Sequence, residues 1–167
     1  IELEFDCLEA EEEAAAEAER KTEPEAARWN AFSLADGDTF AGCLFLVAED
    51  NAINAEILCE LLAMSGARTV VTTDGKQAVR AFMESEPHTY SAVLMDVQMP
   101  GMNGYDATRA IRSMEREDAA AIPIIAMTAN AFAEDIQAAA AAGMNAHVAK
   151  PVDMAVLRET LLRALKK

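Results

Sequence analysis

The chain has 167 residues, 52% of them hydrophobic, and a formal charge of −15. That length supports one ordinary domain with roughly forty residues to spare, and the apolar content excludes general disorder. Residues 1–40 carry 13 acids and 3 bases while residues 41–167 carry 16 and 11, a balance that excludes nucleic acid as a direct partner because phosphate backbones need a basic face.

Ile1 to Phe5 alternates apolar and acidic residues, as a half-exposed strand does. Glu9 to Arg20 is almost pure Glu and Ala, with helix propensity but no apolar stripe, so a solvated helix is expected. Pro24 interrupts it, and Ser33 to Thr39 reads as loop. Residues 1–40 are therefore read as an acidic Ala/Glu-rich linker and residues 41–167 as the folded domain.

From Cys43 onward, short apolar runs alternate with helical patterns five times. Leu44–Ala48 is followed by a helix with Ile53, Ile57, Leu61 and Met64 expected on its buried face. Arg68–Thr72 is rich in β-branched residues, and the next helix places Val79, Phe82 and Met83 on one side before Pro87. Ala92–Met95 ends at Asp96, and a third helix is expected from Tyr105 to Met114. Ile122–Met127 ends at Thr128, with a fourth helix from Phe132 to Ala142. Ala146–Ala149 ends at Lys150, and the last helix, capped by Asp153, is expected to bury Val156, Leu157, Leu161 and Leu165. Strand–helix alternation with continuous apolar strands predicts a parallel sheet covered on both faces, a three-layer α/β sandwich. Right-handed crossovers place every strand's C-terminal end on one edge.

That edge gathers Glu49 and Asp50, Asp96, Thr128 and Lys150. Clustered carboxylates repel one another, so a cation is expected among them. Oxygen-only ligands suit Mg²⁺ better than Zn²⁺, with Mn²⁺ as a substitute. A strand-end carboxylate is also a competent nucleophile towards phosphorus, and a lysine and a hydroxyl can hold the transferring oxygens. Each residue alone has a plainer reading: Asn51, Glu49 or Asp50 as helix caps, Thr128 as a cap, Lys150 as a solvated lysine. The joint placement favours the phosphoryl site. Three widely spaced cysteines, Cys7, Cys43 and Cys59, point to a reducing compartment, and no run of apolar residues is long enough to span a membrane. A cytoplasmic location is expected. The chain opens on Ile1 with no signal-peptide pattern, which suggests a piece of a longer protein.

Val47-Ala48-Glu49-Asp50-Asn51, the run Leu94 to Gly104, Met127-Thr128-Ala129-Asn130 and Ala149-Lys150-Pro151 together resemble the receiver domains of two-component response regulators. The resemblance covers residues 43–166 and implies a flavodoxin-like receiver fold, with five strands in the order 2-1-3-4-5 and five helices. It implies Asp96 as phosphoacceptor for a phosphohistidine, and Mg²⁺ held by Glu49, Asp50, Asp96 and the Gln98 backbone carbonyl. Thr128 and Lys150 would contact the phosphoryl group, and Thr128 would couple it to a switch at His147, where the family often has Tyr or Phe. Implied partners are a histidine kinase or a histidine phosphotransfer protein, with homodimerisation left open and no nucleic acid or membrane contact. The Asp50-Asn51…Asn54 opening resembles receivers attached to hybrid histidine kinases, and Ile1–Phe5 resembles the last strand of a kinase ATP-binding domain. No separate enzyme activity is expected in this piece beyond self-phosphorylation and autodephosphorylation. Two alternatives are a degenerate receiver that only binds proteins and an aspartyl-phosphate phosphatase of the haloacid-dehalogenase type. The latter usually needs an acid where Gln98 stands.

Overall fold

A computed structural model describes residues 38–166. Most of the expected linker, including Ile1–Phe5 and the Glu/Ala run, lies outside the described residues. Among the described residues, five strands alternate with five helices: β1 (Leu44–Ala48), α1 (Ala52–Met64), β2 (Arg68–Thr72), α2 (Gly75–Glu84), β3 (Ala92–Asp96), α3 (Gly104–Arg112), β4 (Ile124–Thr128), α4 (Ala133–Ala142), β5 (Ala146–Ala149) and α5 (Met154–Leu165). All pairings are parallel and the sheet order is β2-β1-β3-β4-β5, as the resemblance implied.

The central strands alternate strictly between two cores. Leu46, Val93, Met95, Ile124 and Ala126 pack with Phe82 of α2, Ile111 of α3 and Ala139 of α4. Phe45, Val47, Leu94, Ile125 and Met127 pack with Leu58 and Leu62 of α1 and Leu157 and Leu161 of α5. Strands buried on both faces need this continuous apolar character, and side chains of period two then serve opposite layers. Phe40, placed in the expected linker, is buried in the second core and stands edge-on to Phe45 at 5.4 Å between ring centroids.

Four helices start on side-chain caps: Asn51, Asp74, Asn103 and Asp153 each accept backbone N–H bonds from the first turn, satisfying donors that a helix leaves unpaired. α4 is the exception, since Phe132 at its N-cap makes no side-chain cap bond.

One expected face is corrected. Ile53, Ile57 and Met64 of α1 are 68%, 52% and 57% exposed, and the buried residues are Ala55, Leu58 and Leu62. The helix is apolar around much of its circumference, so two stripes of helical spacing compete and the tertiary contact with the sheet decides between them. Met83 and Val156, also expected inside, are exposed, because the adjoining Phe82 and Leu157 take the sheet-facing positions of their helices.

Candidate functional site

Parallel pairing and the sheet order bring the C-terminal ends of β1, β3, β4 and β5 side by side. The parallel ladder runs past the strands at this edge: Glu49 N–H donates to Thr72 O, Val97 N–H to Met127 O, and Lys150 N–H to Thr128 O. These bonds fix the backbone under each functional side chain. All the residues expected from sequence to form the site lie on this edge, save His147, which is half-buried within β5 in register with Ala126.

One carboxylate oxygen from each of Glu49, Asp50 and Asp96 lies within 4.8 Å of the other two. Glu49 and Asp96 are almost fully buried, whereas Asp50 is exposed. At 4.8 Å and an effective dielectric near 20, each pair of charges repels by about 3.5 kcal/mol. Lys150 answers that repulsion. Its Nζ stands 2.7 Å from Glu49 Oε2 and 2.9 Å from Asp96 Oδ2. Asp96 Oδ1 accepts the Gln98 backbone N–H at 3.0 Å, and Glu49 Oε1 accepts that of Asn51 at 3.2 Å.

Burial pushes the Asp96 carboxyl above the usual carboxylate range, and the Lys150 and Gln98 bonds offset this only in part. For Lys150, burial disfavours the ammonium, but its bonds to Glu49 and Asp96 outweigh that and raise its pKa. The donor set fits a hard divalent cation: three carboxylates, one of them open to solvent. Such an ion would take over part of the neutralising role that Lys150 fills.

Thr128 is not a helix cap, because α4 begins five residues later. Its Oγ1 donates to Asn130 O at 2.8 Å and accepts from Asn130 N–H at 3.2 Å, closing a tight turn at the tip of β4. Asn51 takes the capping of α1, with bonds from Ile53 and Asn54 N–H, which leaves Glu49 and Asp50 to the cluster.

Two glycines have a close-approach role that the sequence reading did not assign. An ideal Cβ at Gly104 would lie 2.3 Å from Asp96 O, and one at Gly75 would lie 2.4 Å from Met102 O. Both follow an Asx residue, as Asn103-Gly104 and Asp74-Gly75. An Asx N-cap followed by Gly is the available sequence signal for a helix start approached closely by another backbone.

The family model for the response regulator receiver domain matches residues 45–162. The chain is 39% identical over 118 residues to the hybrid signal transduction histidine kinase I of Dictyostelium discoideum, a match covering 70% of this chain and 7% of that protein. The receiver domain of a sensor histidine kinase from Pseudomonas aeruginosa, solved with magnesium coordinated in its active-site cleft, superposes with a TM-score of 0.68 and 39% identity. That match covers 76% of this chain and all of that one. The receiver domain of Saccharomyces cerevisiae Ssk1, crystallised with the histidine phosphotransfer protein Ypd1, superposes with a TM-score of 0.66 at 28% identity, covering 73% of this chain and 88% of that one.

Proposed function

This chain belongs to the response regulator receiver domain family, and on that premise we propose that Asp96 accepts a phosphoryl group from a phosphohistidine. The observation that carries this is the bridge of Lys150 between Glu49 and Asp96 at the mouth of the sheet. An oxygen of Asp96 bonds to phosphorus as the P–N bond of the donor breaks, and the imidazole leaves with the bonding pair. Glu49, Asp50, Asp96 and the Gln98 carbonyl are the residues that would hold Mg²⁺, or Mn²⁺ in its place; the ion supplies charge neutralisation for the transferring group. The Gln98 N–H holds Oδ1 of Asp96, which orients the carboxylate, and Lys150 is placed to follow the phosphoryl oxygens.

The readout we propose starts at Thr128. Turning its hydroxyl to a phosphoryl oxygen breaks the Thr128–Asn130 bonds and frees the loop leading into α4. That helix lacks a side-chain cap and buries only Ala139 and Ala142, so little apolar area opposes its movement. His147 fills the space released, and α4, β5 and α5 form the responding surface.

The donor partner is a histidine kinase or histidine phosphotransfer protein. The exposed stripe of Ile53, Ile57 and Met64 on α1 begins just beyond the acid pair, and its apolar face suits a helix carrying the donor histidine. The longer protein would be a hybrid histidine kinase acting in the cytoplasm. The test is transfer from a phosphorylated histidine phosphotransfer protein, with Mg²⁺ or with EDTA. Label should reach this chain only with Mg²⁺; undiminished transfer in EDTA would reject the metal-assisted reading.

A further inference from the structure

The loop Val97–Asn103 carries Gln98 away from Asp96 and delivers the chain to α3. Its first residues are tied down by Val97 N–H to Met127 O and by Gln98 N–H to Asp96 Oδ1. Its end is tied by Gly104 N–H to Val97 O, at a glycine where a Cβ would strike Asp96 O. The stretch between rests Met102 against the first residue of α2. There the Met102 carbonyl oxygen sits 2.4 Å from where a Cβ on Gly75 would be, and Met102 Cγ sits 3.0 Å from it. Gly75 itself is buried, and α2 is pinned at this end by Asp74, whose side chain accepts the Gln77 N–H and binds its amide.

We infer that Gly75 is a positioning residue for the metal site: its missing side chain sets the height of the loop and so the place of the Gln98 backbone carbonyl. This rests on the receiver reading of Glu49, Asp50, Asp96 and Gln98. A methyl group at position 75 moves the Met102 carbonyl out from 2.4 Å to ordinary contact at 3.4 Å, a displacement of roughly 1 Å. Magnesium demands near-ideal octahedral geometry with oxygens at about 2.0–2.1 Å, and disturbing a residue that positions a metal ligand typically costs about 10–100-fold in metal affinity. Gly75 is not among the residues that would hold the ion, and acts through the loop against which it packs.

The experiment compares wild type, Gly75→Ala and the neighbouring exposed-site control Lys76→Ala. Mg²⁺ titration calorimetry and the amide NMR signal of Gln98 in metal-free protein are the readouts. In Gly75→Ala the metal-free Gln98 signal is expected to move and Mg²⁺ affinity to fall about tenfold or more, with Lys76→Ala unchanged in both. Unchanged affinity in a Gly75→Ala protein that melts cooperatively would overturn the inference. Met102→Ala covers the case in which Gly75→Ala does not fold. It trims the side chain but keeps the carbonyl on Gly75, so it should retain wild-type Mg²⁺ affinity; a tenfold loss there would overturn the carbonyl seat. Failure of the wild type itself to bind Mg²⁺ would remove the receiver reading and this inference with it, whereas wild-type binding beside an unaffected Gly75→Ala removes the inference alone.

Discussion

Lys150→Met tests the electrostatics of the site without its chemistry. The substitution keeps the aliphatic stem and removes the ammonium that stands 2.7 and 2.9 Å from two buried carboxylates. The loss is that of a buried ion pair, which leaves the carboxylate repulsion unanswered. Carboxylates up to 4.8 Å apart repel by about 3.5 kcal/mol per pair at an effective dielectric near 20, and breaking a buried ion pair by deleting one partner costs about 3–5 kcal/mol. A fall in melting temperature on the order of 10 °C follows in EDTA. Mg²⁺ should then recover more stability in the mutant than in the wild type, since it no longer meets a competing cation. At about 100 times its dissociation constant it contributes roughly 2.7 kcal/mol. Acid should narrow the gap as well, because a proton on Asp96 removes the same repulsion. Thermal melts of both proteins with EDTA and with Mg²⁺ decide the matter. Equal melting temperatures in EDTA would refute the idea that Lys150 neutralises the cluster.

Away from the site, Arg116 binds Asp118 at 2.7 and 3.0 Å, stacks over Phe82 at 4.3 Å and donates to Phe82 O and Ser85 O, while Asp118 also accepts the His88 N–H. Burial alone would raise the Asp118 pKa, but these bonds outweigh it and hold the carboxyl below its ordinary value. Its contribution is therefore complete above about pH 4 and is lost as pH falls through the lower folded pKa. Asp118→Asn should cost about 3 kcal/mol at pH 7, with the difference from wild type shrinking below about pH 4; a constant difference in denaturant melts across pH would contradict this. On α1, Ile57→Lys should slow phosphoryl uptake from a histidine phosphotransfer protein at least tenfold while leaving uptake from acetyl phosphate unchanged, because only the protein donor uses the exposed stripe. Equal slowing with both donors would mean the substitution damages the pocket.

The strands were legible because four are short apolar runs ended by a polar or charged residue, and β2 is rich in β-branched residues. β1, β2 and β5 begin and end as expected, and β4 starts two residues later than its apolar run, past Pro123. The gathering of Glu49, Asp96, Thr128 and Lys150 followed from parallel strands sharing one edge, a property of topology rather than of any single motif. The face of α1 was not legible, because Ile53-Ile57-Leu61-Met64 and Ala55-Leu58-Leu62 both fit a helical period and local spacing holds no information about where the sheet lies. Lys150 reaching Glu49 as well as Asp96 depends on where a long side chain settles. The seating of Met102 on Gly75 depends on the approach of a loop to the first residue of a helix 27 residues away in the chain. Such contacts are tertiary, and periodicity and turn chemistry do not encode them.

The central claim is that Asp96 carries the phosphoryl group, and intact-mass analysis after treatment with acetyl phosphate and Mg²⁺ tests it most directly. The wild type should gain one phosphoryl adduct that disappears in EDTA, and Asp96→Asn should gain none while still melting cooperatively. An undiminished adduct on Asp96→Asn would place the acceptor elsewhere and contradict the assignment of the site.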